Sequence, residues 1–153
     1  YAIDVDRYAR KDTREAACKN PNEACKYAQD VDKCPRDDTR EGACKNPVCA
    51  YLYAHKVDKC SRNDTRKSAC VNPEPAYLYA LNVDKCARDD TRGAACNSIQ
   101  YAWLYATNID RCYTESTYAV VCLNNKLLKS YNKYLKEWGI ERNLALMKKG
   151  KGL

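Results

Sequence analysis

The chain has 153 residues, a formal net charge of +7 at pH 7, 11 cysteines and 13 tyrosines. No apolar run approaches the roughly 18 residues of a transmembrane helix, so the sequence excludes a helical membrane span, and no signal peptide is visible. Residues 123–153 hold 8 Lys and Arg against 2 Asp and Glu, which leaves 1–122 almost neutral and confines any nucleic-acid reading to the tail.

In chain order, the first predicted feature is a repeat. Asp12, Asp38, Asp64 and Asp90 recur every 26 residues, as do Cys18, Cys44, Cys70, Cys96 and Cys122, and Tyr1, Tyr27, Tyr53, Tyr79, Tyr105 and Tyr131. The opening Tyr1-Ala2-Ile3-Asp4-Val5-Asp6 aligns with Tyr27-Ala28-Gln29-Asp30-Val31-Asp32, so the array reads as cut within a unit. In the unit from Asp38, the run to Cys44 predicts a short helix A. Asp38 is its expected cap and Glu41, three residues on, completes a capping box. Lys45-Asn46-Pro47 reads as a stop and restart, because Asn caps well and Pro suits a first helical turn; Asn20-Pro21 and Asn72-Pro73 repeat it.

Helix B is predicted from Pro47 to about Val57. Ala50, Tyr53, Ala54 and Val57 fall at i, i+3, i+4 and i+7 and form one apolar face, copied as Ala24, Tyr27, Ala28, Val31; Ala76, Tyr79, Ala80, Val83; and Ala102, Tyr105, Ala106, Ile109. Two short helices cannot bury that face alone. The units must therefore stack into an all-α solenoid of about five helix-turn-helix repeats. Residues 123–153 are expected to form the C-terminal cap and basic tail. Leu127, Leu128, Tyr131, Leu135 and Trp138 mark one amphipathic helix ended by Gly139, and a shorter helix is expected over 141–148.

The repeat grammar resembles helix-pair solenoids of the tetratricopeptide and Sel1 kind, with a shorter period and without their signature residues. More closely, "DDTRxxACKNP" followed by "AYLYAxxVDKC" resembles short helical repeats of uncharacterised phage and bacterial proteins, over most of residues 1–122. The resemblance implies a fold and a source, and no activity.

Nine cysteines fall in two ladders, Cys34, Cys60, Cys86, Cys112 and Cys18, Cys44, Cys70, Cys96, Cys122, with Cys25 and Cys49 outside them. One reading staples Cys34 to Cys44, Cys60 to Cys70, Cys86 to Cys96 and Cys112 to Cys122, which would make the chain a disulfide-stapled extracellular repeat protein. The other keeps the helix A cysteines as small, reduced core residues. There is no CxxC and one histidine, so neither a metal nor another cofactor is expected. Arg40, Arg66 and Arg92 are placed in the first turn of helix A, where the helix dipole disfavours them. They are expected to pair with the Asp of the preceding turn, from the series Asp32, Asp58, Asp84 and Asp110.

Taking roughly 100° per residue from Ala50, Tyr51 falls about 100° and Leu52 about 200° around the helix. Tyr51, Tyr77 and Trp103 are thus expected to pack between adjacent B helices, and Leu52, Leu78 and Leu104 to point outward as an apolar ribbon, with Lys26 before it. The chain then reads as a non-enzymatic scaffold whose partner is a protein or a second copy. An enzyme would have to rest on His55 with Cys49 or Cys60, and His55 stands where other units have Gln29, Leu81 and Thr107. Nucleic acid is the alternative partner, through Lys148, Lys149 and Lys151.

Overall fold

The structure, a computed structural model, describes residues 10–137. Trp138, Gly139, the helix expected over 141–148 and the tail lysines Lys148, Lys149 and Lys151 lie outside the described residues. The A helices are α1 (Lys11–Ala17), α3 (Asp37–Ala43), α5 (Asn63–Ala69), α7 (Asp89–Ala95) and α9 (Glu115–Val121). The B helices are α2 (Pro21–Lys26), α4 (Pro47–Tyr53), α6 (Pro73–Tyr79), α8 (Ile99–Tyr105) and α10 (Asn125–Glu137). Each B helix packs on the A helix of the following unit, and α2, α4, α6 and α8 lie against one another in order. With no strand among the described residues, the array is an all-α helical solenoid.

The turn from A to B follows the Asn-Pro signal. Asn20 and Asn46 each accept two backbone N–H bonds, at 2.9 and 3.4 Å and at 2.9 and 3.2 Å, and Pro21 and Pro47 open the helices behind them. Asn124 caps α10 in the same way, at 3.1 Å to Lys126 and Leu127. Asn72 precedes Pro73 without a side-chain bond.

The entry to helix A differs from the expected capping box. Helix α3 begins at Asp37, its cap residue is Arg36 in extended backbone, and no side chain of that residue caps it. Asp38 accepts from the adjoining N–H of Thr39, at 2.8 Å, and lies 3.9 Å from Arg36 Nε, and Glu41 is exposed. The cap comes instead from Tyr53, on the following B helix. Its hydroxyl accepts from the Arg36 N–H at 3.0 Å and lies 3.0 Å from the Arg36 carbonyl and 2.8 Å from Thr39 Oγ1. Tyr27, Tyr79 and Tyr105 do the same for Arg10 and Thr13, Arg62 and Thr65, and Arg88 and Thr91. One phenol thus fills the core with its ring and satisfies backbone groups at a helix start with its oxygen. Thr39, Thr65 and Thr91 are fully buried around it.

The Ala and Tyr stripe forms the core as its spacing demands: Ala50, Tyr53 and Ala54 and their counterparts Ala76, Tyr79 and Ala80 are completely buried. Val57 and Val83 are only half-buried, because each of these B helices widens into a π-helical turn at its end, over Ala54–Asp58 and Ala80–Asp84. In a π turn residues five apart align, which puts Asp58 on the face of Tyr53. Arg40 answers both: its guanidinium lies 5.8 Å from the Tyr53 ring centre, and Nε and Nη2 reach the Asp58 carboxylate at 3.1–3.2 Å. Arg14 with Asp32 and Arg92 with Asp110 copy the pair. In these three units the helix A arginine therefore pairs with the Asp that closes its own unit and not with the one before, whereas Arg66 hydrogen-bonds Asp90 at 2.9 Å and stands 3.6 Å from Asp84. The preceding Asp takes the loop arginine instead, Asp58 with Arg62 at 3.5 Å and Asp84 with Arg88 at 3.2 Å.

The π turns end on Lys33, Lys59, Lys85 and Arg111, all with φ between 47° and 55°, the left-handed conformation that usually selects glycine. Gly42 meets a different demand. A Cβ there would stand 2.9 Å from Ala24 Cβ and 3.1 Å from the Cys18 carbonyl, so α3 can sit this close to its neighbours only without one. At the C-terminal end α10 takes the place of a B helix, burying Tyr131 and Leu135 in a cluster with Ala102, Ala106 and Val121.

Candidate functional site

The outer surface of the B helices is built by the residues the core stripe leaves over. Tyr51 and Tyr77 are buried between adjacent B helices, and their hydroxyls accept from Asn82 Nδ2 at 3.0 Å and Asn108 Nδ2 at 2.8 Å. Each bond ties one unit to the next. Trp103 is half-buried and meets Tyr134 edge-on at 6.5 Å.

Leu52, Leu78 and Leu104 do not stand out as an exposed ribbon. All three are half-buried. Leu52 packs on the clusters around Tyr53 and around Tyr79, Leu78 on those around Tyr79 and Tyr105, and Leu104 on the latter. The reason lies in the stacking: a side chain turned away from the stripe would be free on an isolated pair, but the flanking B helices cover it. The exposed apolar groups are elsewhere. Val48 and Leu81 are 47% and 37% exposed on B helices, and Val71 and Leu123, at the same repeat position two units apart, are 70% and 75% exposed in the A-to-B turns.

Cys25 and Cys49 come together although no ladder links them. They share one core cluster and line one groove of about 500 Å³ between α2 and α4, with Lys26, Gln29, Leu52 and Lys56 around it. The structure joins no two cysteines in a disulfide. The members of the expected staples lie on either side of an A helix: Cys34, Cys60, Cys86 and Cys112 are exposed in the loops, while Cys44, Cys70, Cys96 and Cys122 are half-buried at its C-terminal end. The intervening helix is roughly 10 Å long, so a staple requires the loop to fold back along it. Burial pushes the Cys44 and Cys70 thiols up to about 11, which keeps them protonated near neutral pH.

His55 stacks on the Tyr51 ring at 5.8 Å. Among the described residues no group of three or more His, Cys, Asp or Glu could hold a metal ion, and no helix is long and apolar enough to cross a membrane. Lys126, Lys129, Lys133 and Lys136 lie exposed along α10, with Lys133 3.9 Å from Glu137. No protein-family model, curated protein or solved structure matches the chain.

Proposed function

We propose that the chain is a non-enzymatic repeat scaffold that binds a protein, or a second copy of itself, through the outer face of its B helices. One observation carries the reading: positions that build the solenoid are copied, while exposed positions beside them change from unit to unit. The core has Ala24, Ala50, Ala76 and Ala102 at one position; two residues before it the surface has Asn22, Val48, Glu74 and Gln100, an amide, an aliphatic, an acid and an amide. Gln29, His55 and Leu81 vary in the same way and are exposed. A surface that only had to stay soluble has no need of stacked differences in chemistry, whereas recognition of one partner along a solenoid requires them.

The half-burial of Leu52, Leu78 and Leu104 moves the test off those residues, since polar replacement there would damage the stack. A chain carrying Val48→Ser, Glu74→Lys and Leu81→Ser should keep its helicity and change stability by no more than about 0.5 kcal/mol per site. It should lose partner capture in quantitative affinity mass spectrometry, or self-association in sedimentation velocity. If capture and self-association both match those of the parent, this face is not the binding surface.

A further inference from the structure

Two cysteines lie outside the ladders, and both belong to one buried cluster and line one groove between α2 and α4. Cys25 occupies the position of Tyr51, Tyr77 and Trp103, and Cys49 that of Glu23, Pro75 and Tyr101. Two repeats on, the corresponding pair is Tyr77 and Tyr101, whose ring centres are 6.0 Å apart across the α6 and α8 contact. Cys25 and Cys49 fill the same contact between α2 and α4 with much smaller side chains, and the groove over them is the space an aromatic pair takes elsewhere. A hydrogen bond fixes the second thiol. Cys49 Sγ donates to Asn22 Oδ1 at 3.0 Å, and Asn22 stands three residues before Cys25 on α2, one turn along the same helix face. The Cys49 sulfur is therefore held against the turn of α2 that carries Cys25.

We infer that Cys25 and Cys49 are a dithiol site that closes to a disulfide across the first two described units when a low-molecular-weight disulfide enters the groove. Burial pushes both thiols up, Cys25 to about 11, so closure is slow near neutral pH and quickens as pH rises. The thiolate that forms on one cysteine attacks a sulfur of the small disulfide, forms a mixed disulfide and releases one small thiol. The second cysteine, deprotonated, attacks the protein-side sulfur and releases the other small thiol. The two cysteines give up two electrons and two protons, and the small disulfide takes up both. Closure clamps α2 to α4 and links Cys25 to Cys49, residues that otherwise meet only through packing. The inference goes beyond the binding reading and stands without it.

The exposed Cys34, Cys60, Cys86 and Cys112 would take the oxidant first, so the test uses the full chain with these four changed to Ser. It is incubated with oxidised glutathione in mildly alkaline buffer, quenched in acid, then alkylated under denaturing conditions and mapped by peptide mass spectrometry. The expected result is one disulfide joining the Cys25 and Cys49 peptides, with the other five cysteines alkylated. An accompanying rise in melting temperature, up to about 10 °C from loop closure, should be reversed by reductant. Adding Cys49→Ser should leave Cys25 alkylated or glutathionylated and abolish the rise. The inference is overturned if both thiols stay alkylatable in the folded, oxidant-treated protein, if each keeps a separate glutathione, or if either pairs with another cysteine.

Discussion

Removing one oxygen atom from the core should cost about 2 kcal/mol, because it orphans a backbone donor at a helix start. In Tyr79→Phe the ring and its volume stay, so no cavity forms, and only the hydroxyl contacts are lost: 3.0 Å to the Arg62 N–H, 3.1 Å to the Arg62 carbonyl and 2.9 Å to Thr65 Oγ1. The carbonyl keeps the Thr65 hydroxyl at 3.3 Å and the Arg66 N–H at 3.0 Å as partners. The Arg62 N–H keeps none of its own, and such an orphaned donor costs about 1–3 kcal/mol, to which a lost hydroxyl bond adds about 1 kcal/mol. The site is only part-buried, so water offsets some of this and the total comes to about 2 kcal/mol. Urea unfolding followed by circular dichroism measures it, and a cycle with Thr65→Val should show the two changes to be non-additive by about 1 kcal/mol. A loss below about 0.5 kcal/mol in Tyr79→Phe, the range of an ordinary surface change, would refute the assignment of the tyrosine ladder as the helix A cap.

Three other outcomes follow from the same geometry. Gly93 is exposed with nothing near its missing Cβ, so Gly93→Ala should stabilise α7 by about 1 kcal/mol, whereas Gly42→Ala should destabilise by forcing apart α3 and α2; thermal melts distinguish the signs. Arg66 gives its hydrogen bonds to Ser61, Asn63 and Asp90 and meets Asp84 only as an ion pair at 3.6 Å, as Arg88 does at 3.2 Å, so neither buried Asp84 oxygen accepts a hydrogen bond. Asp84→Asn should therefore cost clearly less than Asp58→Asn, which strips Arg40 of a two-pronged partner and should cost about 3 kcal/mol. The raised thiols bind their protons more tightly folded than unfolded, so their contribution is complete below about pH 9 and lost as pH rises toward 11; alkylation of the native protein should take the four loop cysteines first and reach Cys44 and Cys70 only in that alkaline window.

The architecture is legible because it rests on local patterns. The i, i+3, i+4 stripe and the Asn-Pro restart each declare themselves within one unit, and the structure contains both. What escapes the sequence lies in contacts between residues far apart along the chain. The Tyr53 to Arg36 cap spans 17 residues and the Arg40 to Asp58 pair 18, each reaching forward to the next helix, where proximity in sequence points backward to Asp32. The recurrence of Thr beside Asp and of Tyr in every B helix is their only trace. The π turn has no residue signature, and a single helix wheel misplaces the leucines because it contains no neighbouring B helix. Cys25 and Cys49 stand out in the sequence only as exceptions to the ladders, with nothing to say that they meet.

The most direct measurement is to lengthen the array by one unit. If residues 63–88 form a self-contained pair that bonds only to its neighbours, a second copy inserted after Arg88 adds one intrinsic unit and one interface. The chain should then keep its helicity per residue and unfold at a higher urea concentration than the parent. An insert that lowers the midpoint or reduces helicity per residue would contradict the 26-residue unit as the building block of this protein.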